Sequence, residues 1–136
     1  FFQTRIKNSD VDQSDICVGF TLNFATNPEN MLTATDRIVF QVNDGDASIL
    51  CKTEKDGTET STDSGIDMVD DTYVKLDISC SGTGTVEFFV NDKLVATHST
   101  NIPDDENLAI AAMSLSGSAS GTRVTTIDYL MGARTR

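Results

Sequence analysis

Hydrophobic and polar residues alternate along most of the chain with a period of two, which is the spacing of side chains on the two faces of a β-strand. Ile16, Val18, Phe20 and Leu22 fall on one face of such a strand. Residues 73–80 alternate in the same way, with Val74 as the first inward side chain. The pattern predicts about ten short strands, over residues 1–7, 16–22, 38–42, 47–54, 58–63, 73–80, 86–90, 94–96, 108–115 and 124–131.

Turn-forming residues separate these strands. Lys55-Asp56-Gly57 predicts a hairpin whose glycine takes a positive φ, and Asn91-Asp92 predicts a two-residue turn. The threonine-rich return strand at residues 58–63 is so polar that we expect it near a sheet edge. Only residues 27–35 offer one helical turn. Many short strands with frequent turns predict a single all-β domain, residues 1–136, built as an antiparallel two-sheet sandwich.

The charge and the hydropathy narrow the classes of partner. The net charge is −11 and the pI is about 4.2, so the surface repels phosphate backbones and anionic lipids, and we expect no nucleic-acid or membrane partner. No apolar run approaches the ~20 residues of a membrane helix, and no secretion signal is visible. Because Phe1 and Phe2 open directly into a strand pattern, we expect that a segment upstream of Phe1 is missing.

The three cysteines are spaced too widely for a zinc site. Cys17, Cys51 and Cys80 form no Cys-x-x-Cys pair, and the single histidine, His98, is not close to them in sequence. Each cysteine lies in an apolar strand pattern, so we expect three buried small side chains. An odd number of cysteines without a secretion signal favours folding in a reducing cytoplasm.

The segment TYVKLDISCSGTGTVEFFVNDKLVATH has an aromatic residue opening a strand, a glycine-containing turn and a V-x-F-x-V strand, and VTTIDYLMG follows near the end of the chain with an I-D-Y pattern. With these motifs the chain resembles the concanavalin A-like (laminin G-like) superfamily of jelly-roll sandwiches, whose closing strand is similar to VTTIDYLMG. The residues that carry the resemblance are Tyr73, Gly82, Gly84, Val86, Phe88, Val90, Asn91, Val95, Asp128 and Tyr129. The resemblance extends from Phe1 to about Gly132, and it implies an antiparallel concanavalin A-like jelly roll. Lys93 follows Asn91-Asp92 where the family has a glycine, which puts a type I′ turn there in doubt.

Five short segments carry a narrower resemblance: FFQTRIKNSD, NDGDASI, KDGT, NIPDDENL and the IDYL ending. With them the chain is similar to virion proteins of tailed bacteriophages. This resemblance implies a structural protein on the capsid exterior, assembled in the host cytoplasm. Its expected role is decoration or cementing of the shell, with the major capsid protein as partner and a homo-oligomer, for example a trimer, as the assembled form. The alternative that the fold allows is a lectin-like carbohydrate-binding module with a glycan as partner.

The sequence lacks the strings of residues that would make such a sandwich an enzyme. Glycosidases of this fold carry two glutamates as E-x-D-x-x-E or E-x-D-x-E, whereas Glu54 and Glu59 flank a hairpin turn and Glu87 stands alone. We expect solvated surface glutamates. There is no G-x-S-x-G elbow, and His98 at a strand end is expected to be an ordinary histidine. We therefore predict no catalytic residue and no cofactor.

Two further groups of residues are candidates for binding. Asp10, Asp12 and Asp15 form a D-x-D-x-x-D loop, and oxygen-rich loops of this kind can hold Ca²⁺. Solvated turns are the favoured interpretation of this loop and of a second acidic loop formed by Asn43, Asp44 and Asp46. Tyr73 and Phe89 fall on the strand face opposite the core. They could form a binding platform, although burial under a neighbouring element is the favoured interpretation.

Overall fold

The computed structural model describes residues 1–22, 30–82, 84–117 and 121–133. Within them the chain forms ten strands: β1 (Phe2–Asn8), β2 (Ser14–Thr21), β3 (Arg37–Asn43), β4 (Asp46–Lys55), β5 (Thr58–Asp67), β6 (Val74–Ser81), β7 (Thr85–Val90), β8 (Lys93–His98), β9 (Ala109–Ser116) and β10 (Thr125–Gly132). A 3₁₀ turn at Val11–Gln13 precedes β2, and a single helical turn, α1 (Asn30–Thr33), precedes β3. In the described part of the chain, no helix is long and apolar enough to cross a membrane.

The strands form two five-stranded antiparallel sheets. The first sheet has the order β10-β1-β6-β7-β8, and the second has the order β5-β4-β3-β2-β9. The chain starts and ends in the first sheet, because β1 pairs with both β10 and β6. This arrangement confirms the predicted all-β, antiparallel two-sheet sandwich.

The core lies between the sheets and is made by the inward residues of the alternating pattern. Phe40 of the second sheet meets Phe88 of the first edge to face, with ring centroids 5.2 Å apart. Val74, Leu76 and Ile78 are buried as their spacing predicts. The predicted edge position of the threonine-rich strand is also confirmed, because β5 ends the second sheet.

The outer face of the second sheet carries a smaller apolar cluster. Met31 of α1 packs there on Cys17, Val39 and Met113, so that β3 is buried on both faces. The predicted helical turn therefore exists within residues 30–33. Residues 27–29 of that prediction lie outside the described residues.

The prediction for the cysteines holds at two of three positions. Cys17 and Cys51 are buried, and their desolvation raises each thiol pKa to about 12. Cys80 is exposed, so its predicted burial is wrong. The reason is its place near the end of β6, where the two sheets part and Cys80 lines an open pocket instead of the core.

Candidate functional site

The most structured polar surface of the described chain is the outer face of β3, β4 and β5. Cross-strand pairing sets its residues in rows. Arg37, Glu54 and Glu59 form one row, and Val39, Lys52 and Ser61 form the next. A third row contains Gln41, Leu50 and Asp63. We call the outward side chains that β4 and β5 contribute to these rows, together with Arg37, the polar face, because Val39 and Gln41 are buried.

Arg37 is the centre of the polar face. Its Nε donates to Glu54 Oε2 at 2.7 Å, and its Nη2 donates to Glu59 Oε2 at 2.8 Å. Its Nη1 donates to the carbonyl oxygens of Met31 at 3.0 Å and Leu32 at 2.6 Å, which ties α1 to the sheet. Only 5% of the Arg37 side chain is exposed, so the guanidinium holds its neighbours in place and is not itself available to a ligand.

The two glutamates lie next to each other because of the hairpin between β4 and β5. Glu54 and Glu59 are directly opposite across the Asp56-Gly57 turn, and Lys52 also donates to Glu59 Oε2, at 3.2 Å. The Glu54 side chain is only 13% exposed, so the expectation of solvated glutamates is wrong for this residue. Pairing with a buried guanidinium accounts for the burial of its charge. The hairpin register was the signal in the sequence that could have placed the two carboxylates together.

The acidic loop proposed for calcium is not assembled as a cage. Asp10 and Asp12 share a hydrogen bond that raises the Asp12 pKa, and Asp10 also pairs with Arg123 at 3.2 Å. Asp15 lies on β2, where its Oδ1 accepts the backbone N–H of Asp44 at 3.0 Å. Among the described residues, no three His, Cys, Asp or Glu side chains form a group that could hold a metal ion. Calcium binding by Asp10, Asp12 and Asp15 stays a prediction.

The second acidic loop, between β3 and β4, is a turn closed by its own side chains. Asn43 Oδ1 accepts from Gln41 Nε2 at 2.6 Å, and Asp46 Oδ1 accepts the N–H of Ser48 at 2.9 Å. The hydrogen bonds from Ser48 lower the pKa of Asp46. These contacts agree with the favoured interpretation of the loop as a turn.

His98 lies inside the sandwich at the end of β8. Its Nδ1 is 3.0 Å from Thr53 Oγ1, and its Nε2 is 3.0 Å from Thr62 Oγ1. Because the Thr53 hydroxyl donates to the carbonyl of Thr100, we assign the ring proton to Nδ1, and Nε2 then accepts from Thr62. Burial lowers the His98 pKa and so favours the neutral ring. These partners give His98 a structural role between the sheets.

The aromatic residues proposed as a platform lie on the outer face of the first sheet. Tyr73 is half-buried, with the Arg5 guanidinium 4.3 Å and the Lys7 ammonium 5.4 Å from its ring centroid. Phe89 is also half-buried, opposite Asp77. Neither side chain is fully covered by a described neighbour, so the expected burial is only partial.

A wide pocket lies at the end of the sandwich where β2 and β6 end. It has a volume of about 720 Å³, and Phe20, Ile38 and Leu108 contribute to its apolar walls. As far as the chain is described, the charged residues that line it are Asp104 and Glu106, and Asp104 already pairs with Lys55. It therefore offers few polar groups for recognition, whereas the polar face offers many.

Comparison with solved structures supports the fold. The chain is similar to the carbohydrate-binding module CBM66 from Bacillus subtilis, with a TM-score of 0.62 and 9% identity over 95% of this chain and 71% of that chain. It is also similar to sheep galectin-11 in complex with glycerol, with a TM-score of 0.52 and 14% identity over 92% of this chain and 87% of the galectin. A native glycosidic hydrolase matches at a TM-score of 0.53 and 18% identity over 83% of this chain and 48% of the hydrolase.

These likenesses concern architecture alone, because all three identities are low. No protein-family model matches the sequence, and no curated protein matches it significantly.

Proposed function

We propose that this chain is a lectin-like carbohydrate-binding module and that its ligand binds on the polar face. The proposal is supported by the likeness of the fold to a carbohydrate-binding module and a galectin. The stronger support is the arrangement of charged groups around Arg37, because it is observed in this chain itself and not inferred from a similar protein.

The Arg37 clamp is the observation that carries the proposal. Every described hydrogen bond to Glu54 and Glu59 falls on Oε2, which leaves Oε1 of each carboxylate as an acceptor. The Glu59 side chain is 32% exposed and that of Glu54 only 13%, so a ligand would reach mainly Glu59. The Lys52 ammonium lies beside them as a donor. A sugar hydroxyl both donates and accepts, so neighbouring hydroxyls fit a surface on which acceptors and a donor alternate. The ion pairs fix these groups before binding, which lowers the entropy cost of ordering them.

The polar face also offers a small apolar contact. Leu50 and Lys52 are two residues apart on β4 and point outward, so the leucine side chain and the methylene stem of the lysine are neighbours. They can pack against the C–H face of a sugar ring. No outward-facing residue of this sheet is aromatic in the described part of the chain, so we expect weak binding, with a Kd of about 0.1–1 mM.

The same geometry favours binding over hydrolysis. A retaining or inverting glycosidase needs one carboxyl group that can give a proton to the leaving group. Glu54 and Glu59 are instead paired with the cations of Arg37 and Lys52, so both carboxyl groups serve to order the polar face. We therefore infer a binding module without enzymatic activity.

The capsid decoration role remains a prediction of the sequence resemblance. None of the similar structures described above is named as a virion protein, and the names of CBM66 and galectin-11 agree with the alternative interpretation at least as well. A glycan-binding module displayed on a particle would reconcile both interpretations.

A glycan array followed by calorimetry tests the proposal. We expect wild-type protein to bind a subset of neutral glycans, and Glu59→Ala to bind the best of them about tenfold more weakly or worse, the loss expected for one charge-assisted hydrogen bond. Glu59 is the more exposed of the two glutamates, so its removal should leave the fold intact.

Glu87→Ala is the matched control, because Glu87 lies on β7 of the other sheet. It should bind like the wild type. Absence of any glycan ligand for the wild type would refute the function. Equal binding by Glu59→Ala and the wild type would refute the assignment to the polar face.

A further inference from the structure

The two edge strands β9 and β10 belong to different sheets but lie on the same side of the sandwich. At one end, Thr125 Oγ1 donates to Ser114 Oγ at 2.7 Å. At the other end, Gly132 faces Ile110, and a Cβ at position 132 would be 2.0 Å from Ile110 Cδ1. Between these contacts the strands part, leaving a cleft of about 210 Å³ lined in part by Val18.

This side of the sandwich exposes apolar side chains that belong to its interior. In the pairing of β10 with β1, Ile127 is opposite Ile6 and Leu130 is opposite Thr4. Ile6 and Thr4 are fully buried, and residues that are directly opposite each other share a face of the sheet. Ile127 and Leu130 therefore point inward, yet 43% and 40% of their surfaces are exposed. Of the eight exposed large hydrophobic residues in the described chain, five lie on or next to these strands: Ile110, Val124, Ile127, Leu130 and Met131.

No strand in the described part of the chain pairs with the outer side of β10. Phe1 and Ala133 form a hydrogen-bonded pair, in which the N–H of each donates to the C=O of the other. In an antiparallel ladder such pairs alternate with pairs that share no hydrogen bond. Gly132 and Leu130 then fall at positions where N–H and C=O point away from β1. Over residues 129–132 the pairing of β10 with β1 is regular, and the register shifts only at Asp128, opposite Arg5 and Ile6. A regular stretch of edge of this kind, next to apolar side chains, is a template for another strand.

The charges near β10 are matched, unlike those of the chain as a whole. Asp128 is the single charged residue of β10, and it pairs with Arg5 at 2.9 Å. Near the start of the strand, Arg123 pairs with Asp10. By contrast, β5 at the edge of the second sheet carries three acidic residues, Glu59, Asp63 and Asp67, and no basic one. Two acidic copies can therefore approach through β10 with little repulsion.

We propose that β10 forms a homodimer seam with β10 of a second copy of this chain. The two strands pair antiparallel around a two-fold axis at Leu130, which joins the first sheets of both copies into one ten-stranded sheet. Leu130 and Gly132 supply the hydrogen bonds of the seam, and Ile127, Leu130 and Ile110 are covered by their counterparts. This inference is independent of the proposed glycan site, which lies on the other sheet.

The size of the seam predicts its strength. An eight-residue strand is about 27 Å long, and two layers about 10 Å apart with their side chains are about 20 Å wide, which gives about 500 Å² per copy. The total of about 1,000 Å² is at the lower limit of specific interfaces. We therefore expect a micromolar dimer that dissociates on dilution.

Sedimentation velocity over a concentration series tests the seam. Wild-type protein should shift from the 14.7 kDa monomer towards twice that mass between about 1 and 300 µM. Leu130→Lys should stay monomeric across this range, because it places two lysines against each other at the axis. Leu94→Lys is the matched control: Leu94 is 47% exposed on β8, the opposite edge of the same sheet, and this variant should still dimerise.

Hydrogen exchange of the wild type provides a second measurement that does not depend on a variant. The amides of Leu130 and Gly132 should become more protected as the concentration rises, while those of β8 stay unchanged. A wild type that remains monomeric at 300 µM, a trimer, or a dimer that Leu130→Lys leaves intact would each overturn the proposal, since an isologous seam closes at two copies.

Discussion

Gly19 is the residue at which the fold depends most directly on a missing side chain. It lies in the middle of β2 with φ +147°, and a Cβ there would be 2.3 Å from the carbonyl oxygen of Ile38 and 2.9 Å from the Cα of Val39. Both are backbone atoms of the neighbouring strand, so they cannot move away as a side chain could. We expect Gly19→Ala to lower the free energy of unfolding by about 2–4 kcal/mol, measured by urea denaturation.

Gly84→Ala is the control for this substitution. No atom lies within 4 Å of a Cβ built at Gly84, so its unfolding free energy should change by less than about 0.5 kcal/mol. Similar values for the two variants would show that β2 and β3 can separate without cost, contrary to their close approach.

His98 predicts how stability depends on pH. Burial lowers its pKa in the folded state, so the unfolded chain binds the proton first as the pH falls. Its contribution to stability is therefore fully present above the unfolded pKa of about 6.5 and is lost as the pH drops below it. We expect the urea midpoint of the wild type to fall between pH 7.5 and 5.5.

His98→Gln should be less stable than the wild type at pH 7.5 but should have a flatter pH profile, since glutamine does not titrate. A profile as steep as that of the wild type would show that other groups are responsible for the acid sensitivity.

At the scale of elements, the period-two pattern was sufficient to predict the strands and several turns. Asn91 and Asp92 both have positive φ, 50° and 66°, as a type I′ turn requires, although the glycine of the related pattern is missing. The carboxylate of Asp92 pairs with Lys75, and Asn91 Oδ1 accepts the N–H of Lys75 at 3.0 Å. These contacts hold the turn against β6. Because Lys75 is 16 or more residues away from the turn in sequence, a prediction from local turn propensity does not include them.

The candidate site was beyond the sequence pattern because it depends on register across three strands. Arg37 is 17 residues from Glu54 and 22 from Glu59, and only the pairing of β3 with β4 brings them together. Likewise, Cys17 is buried as expected, but strand alternation alone does not show that the element covering it is α1. Coverage of an outer face is a tertiary event that strand periodicity does not encode.

Arg37 connects the element α1 to the sheet, so its substitution should loosen that element first. Arg37→Lys keeps the charge but loses the fork that reaches two glutamates and two carbonyls at once. We expect a loss of about 1–3 kcal/mol in the free energy of unfolding. Hydrogen exchange should accelerate for residues 30–35 more than for β9.

Arg5→Lys is the matched control, because Arg5 and Asp128 form a pair in which both side chains are nearly half exposed. Its effect should stay within about 0.5 kcal/mol. Uniform acceleration of exchange in Arg37→Lys would contradict a local role for the guanidinium and indicate a general loss of stability.

At the scale of the whole molecule, the first and last strands pair with each other, so the first sheet is complete only when the chain has reached β10. Phe2 and Ile6 of β1 are buried. Their strand lies between β6 and β10, and β10 is more than 100 residues away in sequence. Contacts of such sequence separation slow folding, because loop closure precedes the gain from burial. This closure also holds many acidic side chains in a small volume.

The net charge of −11 therefore opposes the compact state, and salt should relieve it. Screening acts on exposed charges that are separated by about 10 Å or more, whereas the buried Arg37 pairs are screened much less. We expect the Tm to rise by about 3–5 °C between 10 and 300 mM NaCl, equivalent to roughly 1 kcal/mol for a chain of this size.

The double variant Glu87→Gln/Glu106→Gln removes two negative charges outside the polar face, so it should melt higher than the wild type at 10 mM NaCl and approach it at 300 mM. A Tm that falls with salt would mean that surface ion pairs such as Arg5–Asp128 outweigh the general repulsion, and the matched charges of the β10 edge would then contribute to stability as well as to association.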